Sequence, residues 1–151
     1  ERYAVGRERI KGVKDAFNAA GIPIRADSFI DVEFNETAAE ERTAELLASG
    51  RRPSALLARH DIVARGAMRA IYAAGLSIPQ DISVMGSGDV LGSDMFRVPL
   101  TTVRFPAKEM ADLCVRTLLD MLAGNPVEPG LNVLDVQLVI RESTGPPSTA
   151  R

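Results

Sequence analysis

The 151 residues carry 20 Asp and Glu against 18 Lys and Arg, a net charge of −2, and 46 % of them are apolar. This is the composition of a soluble globular domain, and the even charge balance excludes a basic stripe that would bind a phosphate backbone by itself. The one cysteine, Cys114, excludes an internal disulfide, and its neighbours Leu113 and Val115 predict a buried helix position. Apolar runs are only a few residues long, so neither a membrane span nor a signal segment is expected. The chain opens at Glu1 without an initiator methionine and is helical in pattern almost at once, which is expected of a piece of a longer protein.

In chain order, Ile10, Val13, Phe17 and Ala20 recur at helical spacing over residues 7–20, and Gly21 stands where the helix ends. Residues 28–33, Ser-Phe-Ile-Asp-Val-Glu, read as a short strand. Asn35 is a good N-cap for a helix that turns Ala39, Thr43, Leu46 and Leu47 inward and stops at Gly50. A strand over 54–58 follows, and Asp61 is placed to cap a helix burying Val63, Ala67, Ala70, Ile71 and Ala74 before Gly75. A third strand over 82–85 runs into the turn Gly86-Ser-Gly-Asp89; a fourth covers 101–103, and Pro106 opens a helix carrying Met110, Leu113, Cys114, Leu118, Met121 and Leu122 to Gly124. Residues 131–140 form a last apolar strand, and the tail 145–151 reads as disordered.

Short strands alternating with helices predict an α/β fold, a mainly parallel sheet with helices on both faces. Ligands of such sheets bind beyond the carboxyl ends of the strands. That rule selects four loops, containing Phe34 and Asn35; Arg59, His60 and Asp61; Ser87, Gly88 and Asp89; and Arg104 and Phe105. An aromatic, hydrogen-bonding groups and charges converging there suit a small polar ligand. From position alone, Phe34 reads either as a core residue or as a ligand platform. His60 is the only histidine and has no partner at ligand spacing, so no metal is expected. Gly86-Ser-Gly88 lacks both the nucleophile elbow of a hydrolase and the third glycine of a dinucleotide site. Neither a cofactor nor an enzyme activity is expected.

Residues 81–89, Asp-Ile-Ser-Val-Met-Gly-Ser-Gly-Asp, followed by 98–106, Val-Pro-Leu-Thr-Thr-Val-Arg-Phe-Pro, resemble the lac repressor and galactose repressor family of bacterial transcription regulators. Further segments fit the same template: Arg9-Ile-Lys-Gly12, residues 53–68, Gly75-Leu-Ser-Ile-Pro79 and the closing Leu138-Val-Ile-Arg-Glu-Ser-Thr144. Each piece is weak alone, whereas their shared order and spacing from about residue 2 to residue 144 are specific.

The resemblance implies the two-lobed fold of periplasmic binding proteins, with a small-molecule effector between the lobes and a separate headpiece that reads operator DNA. On it, residues 1–106 and 131–144 form the C-terminal lobe, and 107–130 belong to the other lobe. Headpiece and most of the first lobe would lie outside this chain. Helix 107–123, without its host, would pack elsewhere, swap into another copy or stay exposed. The resemblance also implies site residues. Arg9 matches the effector-binding arginine and Phe34 the stacking aromatic; His60 stands at a hydrogen-bonding asparagine position. Asp89 matches the second acid of the family's turn, Gly88 replaces the first, and Phe105 stands at a cleft-facing position. With that first acid absent, the expected effector is less hydroxylated than a common sugar. The family further implies a cytoplasmic homodimer, with Met68, Met95 and Phe96 as candidate contacts. A solute-binding protein of a transporter has the same fold and is the alternative.

Overall fold

The structure, a computed structural model, describes residues 4–147. Two expectations lie outside the described residues: the chain start at Glu1 and the tail beyond residue 147. The chain divides into two compact units, residues 1–31 and 32–151.

In the smaller unit, helix α1 spans Ala4–Ala19. It ends as its sequence dictates: Gly21 takes φ +67° and the Ile22 N–H closes on the Phe17 carbonyl at 3.0 Å. Lys11 and Asp15, one turn apart on its exposed surface, form an ion pair of 3.1 Å.

The larger unit contains α2 (Glu36–Ala48), β1 (Ala55–Leu57), α3 (Asp61–Ala73), β2 (Ser83–Met85), β3 (Thr102–Arg104), α4 (Ala107–Ala123) and β4 (Gln137–Val139). β1 and β2 pair in parallel, with Leu56 opposite Val84, and β3 and β4 pair antiparallel, with Val103 opposite Leu138. Parallel bridges from Met85 to Thr101 and from Gly88 to Arg104 join the two ladders. The α/β class expected from the sequence therefore holds, with one antiparallel strand.

α2 begins where Asn35 predicts, its side-chain oxygen accepting from the Ala38 N–H at 2.7 Å. α2 and α3 lie against each other, and Gly66 is what lets them approach: a Cβ there would collide with the Glu36 carbonyl and the Ala39 methyl. Arg65 and Arg69 of α3 reach over the contact to Glu36 and Glu40, with Arg65 Nε donating at 2.7 Å and Arg69 Nε at 2.8 Å. Beneath lies the core of Ala64, Met68, Ile71, Ile78, Ile82, Val84 and Leu100, five of which have no exposed surface beyond 1 %: Ala64, Ile71, Ile82, Val84 and Leu100.

Several expectations need correction. No strand forms over 28–33; among the described residues that segment has no ladder partner, and a strand exists only as part of a pair. The strand expected over 131–140 shrinks to Gln137–Val139, because its partner β3 is only three residues long, bounded by Pro99 and Pro106. On α3, Val63 is only half-buried and Ala74 is exposed, and the buried face instead includes Ala64 and Met68. Met68, expected at a subunit contact, is 2 % exposed inside the core. The tail is not free from residue 145 onward: the Gly145 N–H donates to Ser83 Oγ at 3.1 Å, which in turn donates to the Gly145 carbonyl at 3.2 Å. Finally, α4 has no buried residue and Cys114 is exposed, since nothing among the described residues covers the face that its periodicity defines.

Candidate functional site

The carboxyl ends of β1, β2 and β3 bring three of the selected loops together. After β1 the chain enters α3 through His60, whose extended backbone and ring make it the N-cap: Nδ1 accepts from the Ile62 N–H at 3.4 Å. This corrects the expectation that Asp61 caps the helix. Asp61 is the first helical residue, completely buried, and its carboxylate ties three segments together. Oδ1 accepts from the Thr102 hydroxyl of β3 at 2.6 Å, and Oδ2 accepts from the Val90 N–H at 2.9 Å. Gly86 is required beside it, because a Cβ there would strike Asp61 Oδ1 and Leu100.

The turn after β2 is shaped by backbone conformations unusual for L-residues, φ +131° at Gly88 and φ +49° at Asp89. The Asp89 carboxylate faces inward with its side chain 8 % exposed. Arg141 Nη2 donates to Oδ1 at 2.7 Å, Arg104 Nε to Oδ2 at 2.6 Å and Ser93 Oγ to Oδ1 at 3.1 Å. Burial alone would raise its pKa, but the hydrogen bonds from Arg141, Arg104 and Ser93, with the Arg141 charge, outweigh that and hold it below the usual carboxylate range.

Phe34, just ahead of α2, is 54 % exposed. Its ring meets that of His60 edge-to-face, centroids 4.6 Å apart and planes at 75°. His60 Nε2 in turn stands beside Gly88, 3.5 Å from where a Cβ on that residue would be. Phe34, His60 and Gly88 thus form one continuous rim, with Arg104 beside Gly88 and joined to the inward-turned Asp89. Phe105 is half-buried at the end of β3. Arg9 is exposed on α1, in the smaller unit.

The residues that hold this rim are only partly marked by sequence pattern. Arg141 and Ser143 come from the closing Arg-Glu-Ser-Thr run, which in the sequence is a point of resemblance and carries no site role. Arg141 Nη1 donates to the Leu100 carbonyl at 2.7 Å, while the Ser143 hydroxyl donates to the Val84 carbonyl at 2.6 Å and accepts from the Thr101 N–H at 2.8 Å. The signal available was the polar character of 141–144 directly after an apolar strand. Among the described residues no group of three or more His, Cys, Asp or Glu could hold a metal ion, and no helix is long and apolar enough to cross a membrane.

The sequence profile of the periplasmic binding protein-like domain matches residues 1–144. The chain belongs to that family. Within it, its relatives are regulators of the lac repressor and galactose repressor type, as the motifs imply. It is 34 % identical over 143 residues to the HTH-type transcriptional regulator DegA of Bacillus subtilis, covering 95 % of this chain and 42 % of that protein. It is also 34 % identical over 141 residues to the transcriptional regulator GalR of Escherichia coli, covering 93 % and 41 %. Among solved structures, a LacI-family regulator from Sanguibacter keddieii superposes with a TM-score of 0.90 at 34 % identity, over 97 % of this chain and 55 % of that one. The dimeric lac repressor gives a TM-score of 0.84 at 31 % identity, over 94 % and 51 %. A LacI-family regulator from Enterococcus faecium, solved with bound ribose, gives 0.81 at 31 %, over 91 % and 51 %. The chain spans rather less than half the length of the curated relatives it matches.

Proposed function

We propose that this chain is the C-terminal lobe of the effector-binding region of a DNA-binding transcription regulator, a repressor by its kinship, that works as a cytoplasmic homodimer. The observation that carries the reading is the half-exposed Phe34 ring braced edge-on by His60, at the strand ends where this fold holds its ligands. An aromatic left open to solvent but fixed in orientation is a stacking platform. Phe34, His60 and Phe105 are assigned to the effector, and Arg9, in the smaller unit, carries that role on its motif alone. Asp89 is assigned a supporting part, because its oxygens already hold Arg104 and Arg141. The role is binding, and ligand acts by changing the angle between lobes and so the spacing of two DNA-reading headpieces. In this assignment 107–130 completes the other lobe, which accounts for an α4 without buried residues.

The test is a thermal-shift screen against sugars, sugar acids, nucleosides and small aromatic acids, with Arg9→Ala and Phe34→Ala as controls. A ligand at a hundred times its dissociation constant adds about 2.7 kcal/mol of stability. A hit lost in both controls supports the reading; a folded protein that no compound stabilises overturns it. For the dimer, Met95 is 83 % exposed, while Phe96 packs on the core with the Arg65 guanidinium 5.8 Å above its ring. Phe96→Asp should halve the mass seen by light scattering, and a monomer at every concentration removes this contact.

A further inference from the structure

The charges at the rim are distributed unevenly between the inside and the outside. Both acids of this end of the sheet are turned inward and engaged. Asp61 is completely buried and takes hydrogen bonds from Thr102 and Val90. Asp89 is held by Arg141, Arg104 and Ser93. Glu33, next to Phe34 in sequence, accepts from the Asn35 amide at 3.3 Å.

Around Gly88 itself, two side chains present donors: His60 and Arg104. Because His60 Nδ1 accepts from Ile62, the ring proton is carried by Nε2, the nitrogen beside Gly88. Gly88 supplies no side chain, and its φ of +131° disfavours any replacement that would. The Arg104 side chain is 50 % exposed, and its bonds to Asp89 and Gln137 use Nε and Nη1, so Nη2 takes part in neither. The parallel bridge between Gly88 and Arg104 sets the two positions side by side.

A polyol hydroxyl donates as well as accepts. Seated against these two donors, it loses hydration from its own O–H without recovering a bond from them. A carboxylate only accepts, and a guanidinium is its best-matched partner. We propose that, within the effector-binding reading on which this inference rests, the rim selects an anion carried on a flat apolar ring, with Phe34 taking the ring and His60 Nε2–H and the Arg104 guanidinium taking the anion. His60 and Arg104 are therefore the residues that set specificity, and Gly88 is where the site gives up its acceptor.

The experiment is an amide NMR titration of this chain with benzoate, benzamide and ribose as probes. Benzoate should move the amides of residues 34–36, 59–62, 87–90 and 104–105, at a dissociation constant at least about tenfold below that of benzamide, a step worth about 1.4 kcal/mol. Ribose at the same concentration should leave them in place. His60→Asp, which keeps an oxygen for the Ile62 N–H and puts an acceptor where Nε2–H donates, should shrink the benzoate preference several-fold in a chain whose spectrum stays dispersed; Phe34→Ala should weaken both aromatic probes together. If ribose moves those amides as tightly as benzoate does, the anion preference is overturned and the effector-binding reading stands. If no probe moves them in a folded chain, both fall.

Discussion

α3 and α4 are written in the same alphabet and end differently. α3 places Ala64, Met68 and Ile71 at helical spacing, and all three are buried; α4 places Met110, Leu118, Met121 and Leu122 at comparable spacing, and they are 47 %, 56 %, 63 % and 75 % exposed. Periodicity reports that a helix has a face requiring cover. It carries no information on whether the cover lies in the same stretch of chain. For α3 the cover is β2, α2 and the loop that carries Leu100, whereas for α4 no described residue provides it.

The sharpest way to break this contrast is to remove the same kind of apolar bulk from each helix. Ile71 has no exposed surface, so Ile71→Ala loses its transfer free energy and leaves a cavity, and should cost about 4 kcal/mol in urea unfolding. In a domain of this size that is a large part of total stability. A loss below about 1 kcal/mol would mean that the α3 interface is loosely packed and the contrast overstated.

The second test concerns the polar pin at the start of α3. Asp61→Ala leaves the Thr102 hydroxyl and the Val90 N–H buried without an acceptor, an expected loss of about 3 kcal/mol. If Asp61 were only a helix cap, the loss would be about 1 kcal/mol. Unfolding measurements that fall near the lower figure would restore the capping role.

Asp89 gives the contrast a dependence on pH. Its pKa is lower in the folded chain than the unfolded carboxylate value of about 3.9, so the stability it contributes is fully present above that value and is lost as pH falls through the folded pKa. Asp89→Asn should therefore be less stable than the parent at pH 7, and the difference should close on acidification below about pH 4. Parallel stability curves from pH 7 to pH 3 would show that the Arg141 and Arg104 contacts do not favour the ionised acid.

Asn35 tests the smaller scale. Its oxygen satisfies one N–H at the exposed start of α2, and Asn35→Ala should cost about 1 kcal/mol. Asn35→Asp, which keeps the acceptor and favours the helix dipole, should recover most of that loss in the same unfolding assay.

From α2 onward the element order, together with the α/β class and the loops that gather at the strand ends, was legible in the sequence, because helix caps, glycine stops and apolar runs are local signals. Asn35, Gly21 and Gly124 did locally what their types predict. Legibility ended where an outcome depended on a distant partner. The segment 28–33 has strand composition without a ladder, and 131–136 lacks one because β3 is too short. Asp61 looked like a cap because capping is the commonest local use of an aspartate there; its actual partner, Thr102, is 41 residues away. At the rim, the resemblance pointed to Phe34 and His60, and the structure adds that their rings touch. The inward turn of Asp89 depends on Arg141, 52 residues on, and no local pattern announces it.

The smallest expected effect is the other half of the first test. Leu118 is 56 % exposed, and Leu118→Ala in a monomeric chain should shift stability by less than about 0.5 kcal/mol. The prediction gains force from its dependence on concentration. Were α4 to pack against another copy, the same substitution would remove a buried contact, and its cost would rise with protein concentration, because folding and association would then be linked. Unfolding Leu118→Ala and Ile71→Ala side by side at two concentrations separates the possibilities. A small, constant effect at Leu118 beside a large, constant one at Ile71 keeps α4 as an uncovered face; a growing effect at Leu118 alone assigns its cover to a second copy of the chain.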